Sequence, residues 1–178
     1  TILHWNGQQW TRQDSLTDRD LRGVWGSPSM DTYAVGLYGA ILTRRAGAWV
    51  VAREDQPDGA NLTGVWGASD RDVWAVGSSG PTTGTIWHKG SDVVTDWRRV
   101  EDPLGGGAAV LPLSGIWGAS ATNVFAVGGS GVLHWNGSTW TQQSAETTEN
   151  LTGVWGSSAT DVFAFGTKGT VLRTGDGG

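Results

Sequence analysis

The sequence predicts an all-β chain built from one small sheet written four times, and three observations carry that expectation. A sixteen-residue string recurs: LRGVWGSPSMDTYAVG from Leu21, LTGVWGASDRDVWAVG from Leu62, LSGIWGASATNVFAVG from Leu113 and LTGVWGSSATDVFAFG from Leu151. Its segments are short, β-branched or aromatic, and lack helical periodicity. Glycine and tryptophan are in excess, at 29 and 12 of 178 residues, and fall at fixed places in the repeat.

Equivalent glycines at Gly23, Gly64, Gly115 and Gly153 lie 41, 51 and 38 residues apart, a spacing that belongs to repeat architectures. In the copy at 113–143, LSGIWG gives strand a, NVFAVG strand b, GVLHW strand c and STWTQQ strand d. Asn136-Gly137, between c and d, predicts a two-residue hairpin turn. One such sheet has two apolar faces and cannot stand alone. Radial stacking about an axis buries both faces and leaves only short edges. The predicted architecture is therefore a β-propeller of four-stranded antiparallel blades. It forms a single domain over 1–178, with a partial blade at 1–20 and repeats at 21–61, 62–112, 113–150 and 151–178.

The ends allow two arrangements. TILHWNGQQWTRQ (1–13) matches GVLHWNGSTWTQQ (131–143), so the chain opens on strands c and d and ends on a, b and a further c, TVLR. Either residues 1–13 close a four-bladed ring against Asp161–Gly166, or the chain is part of a larger ring. The second is favoured, because six to eight blades are more usual and the chain starts at Thr1 without a methionine.

The columns of the repeat have physical roles. Trp25, Trp66, Trp117 and Trp155 in strand a, Trp10, Trp49, Trp97 and Trp140 in strand d, and Tyr33, Trp74, Phe125 and Phe163 in strand b read as wedges between blades. A buried aromatic removes about 150–250 Å² from water. Asp31, Asp72, Asn123 and Asp161 precede strand b, where a short polar side chain can bond turn amides. One carboxylate per loop supplies too few oxygens for calcium.

Composition narrows the function. The net charge is −5, and Val100 to Thr167 contains no Lys or Arg, which argues against nucleic acid as a partner. No apolar run reaches membrane-spanning length. The absence of cysteine excludes disulfides and thiolate metal sites. His4, His88 and His134 all lie in strand c of different blades and predict no metal centre. No nucleophile motif, phosphate loop or convergent carboxylate pair appears, so no catalytic residue and no cofactor are expected.

Residues 123–140, NVFAVGGSGVLHWNGSTW, resemble the kelch pattern, although only Gly128-Gly129 gives its double glycine. The whole chain resembles the Trp-rich GVWG propeller repeats of secreted and surface proteins of bacteria. RTGDGG, at 173–178, resembles the start of an Asp-box. The resemblance implies a propeller fold and an extracellular or cell-surface location.

Subtraction suggests a site. Once the a, b and d columns are assigned, Trp5, Trp87 and Trp135 remain, all in strand c, where other repeats carry Arg44, His88, Thr43 or Thr174. So mixed a column is not a core column. Exposed Trp beside His4 or His134 makes a flat platform for a sugar face or a protein anchor. The expected function is non-enzymatic carbohydrate binding, with Trp5, Trp87, Trp135, His4 and His134 as ligand residues. A protein-interaction scaffold or surface adhesin is the alternative, and a glycosidase- or lyase-type propeller comes third. Self-association is expected if the ring is incomplete. Long connections at 53–61, 78–84 and 101–112 gather on one face, where binding loops usually lie.

Overall fold

A computed structural model describes residues 1–26, 31–54 and 59–175. The first segments form a hairpin, β1 (Ile2–Trp5) and β2 (Trp10–Gln13). Three complete antiparallel sheets follow in the predicted a-b-c-d order. The first is β3 (Leu21–Gly26), β4 (Thr32–Gly36), β5 (Ile41–Arg45) and β6 (Ala48–Arg53). The second is β7 (Asn61–Ser69), β8 (Asp72–Ser78), β9 (Gly84–Lys89) and β10 (Trp97–Arg99). The third is β11 (Gly115–Ser120), β12 (Asn123–Gly128), β13 (Gly131–Trp135) and β14 (Trp140–Gln143). The fourth sheet has three described strands, β15 (Leu151–Ser158), β16 (Asp161–Gly166) and β17 (Val171–Arg173). The Asp-box-like residues 176–178 and part of the 53–61 connection lie outside the described residues.

The a strands β3, β7, β11 and β15 contact one another in sequence. Their GVWG string is a device for this contact. A side chain at Gly115 would meet the Gly153 backbone at 3.1 Å, and one at Gly64 would meet Ile116 at 3.2 Å, so the first glycine lets neighbouring strands approach. The second glycine is a seat. Rings of Trp25, Trp66 and Trp117 lie over Gly67, Gly118 and Gly156, at 2.6–2.8 Å from where a Cβ would stand. Each sheet thus places its strand a tryptophan on the next sheet.

Faces pack in the same direction. Val65, Trp87 and Trp97 of the second sheet bury against Tyr33, Val35 and Ile41 of the first. Ile116, Leu133 and Trp140 of the third bury against Trp74, Val76 and Ile86 of the second. The hairpin packs Ile2 against the Leu42 and Trp49 cluster of the first sheet, and Trp49 Nε1 donates to Gln13 Oε1 at 2.8 Å. Among the described strands residues 1–13 pair with each other, β1 with β2, and a pairing with Asp161–Gly166 is not among the ladders; the sheets fit a four-bladed or a partial propeller.

Turn chemistry departs from expectation in two places. Trp5 pairs with Trp10 and Trp135 with Trp140, so the Asn-Gly pairs sit in four-residue connections, not two-residue turns. The Asn6 side chain accepts from the amides of Gln8 and Gln9, and Asn136 from those of Ser138 and Thr139. The tight turn is Ala46-Gly47, with φ of 49° and 86°. The acidic column before strand b bonds strand c side chains: Asp31 to Arg45, Asp72 to His88 and Asp161 to Arg173.

Candidate docking groove

The five residues expected to bind ligand do not form one surface. Trp5 is 48% exposed and tilts against Trp10 with ring centroids 5.7 Å apart, and His4 beside it is exposed. Trp87 is only 8% exposed, packed in the core beneath the Arg53 guanidinium at 3.6 Å. Register explains this burial, which differs from the exposed platform expected: Trp87 pairs with Ala75 as Leu133 pairs with Ala126 and Leu42 with Ala34, so it fills an interior leucine column. Trp135 pairs with Val124, two places further out. It is half-buried against Trp74 and Trp140, and its indole N–H donates to the Ala121 carbonyl.

His134 leads to a site that residue types alone did not reveal. Its ring stacks on Phe125 with centroids 4.5 Å apart, as His88 stacks on Trp74 at 3.9 Å. His88 Nε2 lies 2.7 Å from Asp72, whereas Asn123 replaces that aspartate in the third sheet and His134 Nε2 meets no protein partner among the described residues. Burial holds the His134 imidazole below the ordinary histidine pKa. Phe125, Val132 and His134 form one wall of a groove of about 270 Å³, and Val162, Ala164 and Leu172 of the fourth sheet form the other. Glu146 and Arg173 also line it.

The fourth sheet has three strands among the described residues where the second and third have four. In the third sheet β14 pairs with β13 and sets Trp140 against Trp74 at 5.3 Å. In the second sheet Trp97 of β10 meets Tyr33 edge-on at 6.1 Å. β17 pairs with β16 alone among the described strands, so its outer edge is open beside the apolar groove. An extended segment pairing with that edge would carry an aromatic residue into the groove.

The long connection 101–112 is part of the packing and no free loop. Val110 is buried, its carbonyl accepts from Gly84 N at 2.7 Å, and Asp102 bonds the Gly107 amide. Among the described residues no cluster of three His, Asp or Glu could hold a metal ion, and no helix is long and apolar enough to cross a membrane.

No protein-family model matches the chain, and no curated protein does. Solved structures do. It is similar to YCF48 bound to D1 peptide, at 21% identity and a TM-score of 0.69, over 94% of this chain and 55% of that one. It is similar to YCF48 from Cyanidioschyzon merolae at 15% identity and 0.65, over 86% and 50%. The RRP9 WD40 repeats match at 10% identity and 0.61, over 88% and 51%. The chain spans about half the length of these structures. At such identities the likeness speaks for the fold: the chain is a β-propeller repeat protein of four-stranded antiparallel sheets.

Proposed function

We propose that the chain is a non-enzymatic, protein-binding propeller whose groove between the third and fourth sheets takes an extended protein segment carrying an aromatic side chain. One observation carries this reading: among the described strands β17 offers an open edge beside an apolar groove, at the place where the second and third sheets hold a strand with Trp97 or Trp140. Strand addition gives such a segment its backbone hydrogen bonds, and the groove reads its side chain. That a neighbour of this fold is bound to a peptide, D1, supports peptide docking on such a scaffold. The carbohydrate reading rested on three exposed strand c tryptophans. Trp87 is core and Trp135 is held among rings, which leaves Trp5 alone as a platform.

The test is fluorescence anisotropy with a labelled peptide STWTQQSA, the strand d sequence of residues 138–145, beside its Trp→Ala form. Saturable binding of the first, lost with the second and with Leu172→Glu in the groove, supports the reading. Quenching of intrinsic tryptophan by sugars or multivalent glycans, without peptide binding, restores the lectin.

A further inference from the structure

We propose that Asn136, and with it Asn6, is a site of spontaneous covalent modification: each turn converts its own asparagine to aspartate or isoaspartate and releases ammonia. The chemistry is local to the connection between strands c and d and needs nothing from the groove.

The residue types supply the nucleophile and the carbonyl. Asn6-Gly7 and Asn136-Gly137 each set a glycine nitrogen beside an asparagine side-chain amide. Attack of Gly137 N on Asn136 Cγ forms a succinimide ring. The N–Cγ bond forms as the backbone amide gives its proton to solvent base. The Cγ–Nδ2 bond breaks as Nδ2 takes up a proton and leaves as ammonia. Water then opens the ring: addition at Cγ gives aspartate, and addition at the Asn136 main-chain carbonyl carbon gives isoaspartate, whose backbone runs through Cβ. Water is the co-reactant, and nothing is oxidised or reduced.

The fold supplies the geometry. Residues 6–9 and 136–139 are exposed, so base and water reach both turns. Gly7 and Gly137 have φ of 96°, and without a Cβ their nitrogens are unshielded. Among the described residues neither glycine amide has a hydrogen-bond partner, so no ladder holds the attacking nitrogen. Asn136 Oδ1 accepts from the amides of Ser138 and Thr139 at 2.9 and 3.0 Å, and Asn6 Oδ1 from those of Gln8 and Gln9 at 2.9 Å each. Negative charge grows on this oxygen as the ring closes, and it meets two fixed backbone donors. Donors at about 2.7–3.1 Å from such an oxygen stabilise the intermediates of acyl transfer. Hydrogen bonds to an ionised oxygen are about twice as strong as those to a neutral one, so the cradle favours the intermediate over the starting amide.

The other asparagines lack this arrangement. Asn61, Asn123 and Asn150 precede Leu62, Val124 and Leu151, all fully buried. A buried, branched neighbour shields the nitrogen, and Leu151 N is already committed to the Gly129 carbonyl at 2.6 Å. The two products differ in consequence. Aspartate keeps oxygens for both turn amides. Isoaspartate adds a backbone carbon between Trp135 and Trp140, which face each other across the β13–β14 ladder, and so disturbs that pairing.

The experiment incubates the full chain, its fold checked by circular dichroism, at physiological temperature in neutral and mildly alkaline buffer. The peptide LHWNGSTWT, residues 133–141, is the reference without a fixed turn. Peptide mapping by mass spectrometry follows each asparagine and separates aspartate from isoaspartate. Asn6 and Asn136 of the folded chain are expected to convert at least as fast as the peptide, faster at alkaline pH, while Asn61, Asn123 and Asn150 stay intact. Conversion of the peptide with the folded chain unchanged would mean that the cradle holds the side chain inert, and it overturns the proposal. Conversion spread evenly over all the asparagines overturns it as well, because the turn geometry would then select nothing.

Discussion

Adding one methyl group at Gly118 tests whether the GVWG string is a seat for a neighbouring ring. A Cβ there stands 2.6–2.8 Å from three atoms of the Trp66 indole. That ring is half-buried and packed against the core cluster of Trp74 and Ile116, so it has little room to retreat. Overpacking of this kind costs about 1–3 kcal/mol. Gly→Ala also removes freedom from the unfolded chain, which returns about 0.4–1 kcal/mol where the backbone is compatible. Gly118→Ala is therefore expected to destabilise by about 1–2 kcal/mol. Gly26→Ala is the control, since its nearest neighbour is Thr32 Oγ1 at 3.5 Å. There the entropic gain acts alone, for about 0.5 kcal/mol of stabilisation.

The difference between the two variants is about 2 kcal/mol, or about 4–8 °C in Tm for a domain of this size. Urea and thermal unfolding followed by tryptophan fluorescence measure it. Combining Gly118→Ala with Trp66→Ala removes the clash, so the double variant should lose less than the sum of the single losses. Equal stabilities for Gly118→Ala and Gly26→Ala, or strict additivity in the double variant, would refute the seat.

Other outcomes follow from burial and bonding. Trp97→Ala should cost about 3–5 kcal/mol in chemical denaturation, as for a buried large aromatic. Trp10→Ala, at 65% exposure, should change monomer stability by less than about 0.5 kcal/mol. Asn136→Ala removes two side-chain-to-amide bonds and should cost about 1 kcal/mol, read from the urea midpoint. His134 has a depressed folded pKa, so the unfolded chain binds more protons between that value and about 6.5. Its contribution therefore rises with pH through this window and is lost as pH falls below about 6.5. His134→Phe keeps a ring on Phe125 and should flatten that slope between about pH 5 and pH 7; an unchanged slope assigns it to other groups.

The four-strand blade and its aromatic columns were legible in the sequence because each rests on a pattern repeated four times. Register was not. Trp87 and Trp135 look alike as tryptophans in strand c, and only the ladders to Ala75 and Val124 put one in the interior column and the other two places outward. The Asn-Gly signal marked a real bend but not its length, since nothing local decides whether Trp5 or Gln8 begins the next pairing. The acidic column was read against its own turn, whereas its partners Arg45, His88 and Arg173 come from the neighbouring strand c. Trp10 and Trp155 follow the wedge columns in sequence and yet are exposed, because a wedge needs the next sheet as well as its own.

A string repeated for packing records what each sheet asks of its neighbour, and so it is a poor guide to ligands. Every feature of GVWG is used at the three internal junctions: one glycine for backbone approach, one for the incoming ring. Binding chemistry is better sought where the repeat breaks its own pattern. Asn123 in place of aspartate leaves His134 Nε2 without the partner that His88 has. Among the described strands, the edge of β17 lacks the strand that β13 has. Both departures fall on the groove proposed above to take a protein segment, where an open ladder edge can be satisfied by another backbone and His134 Nε2 by a polar group.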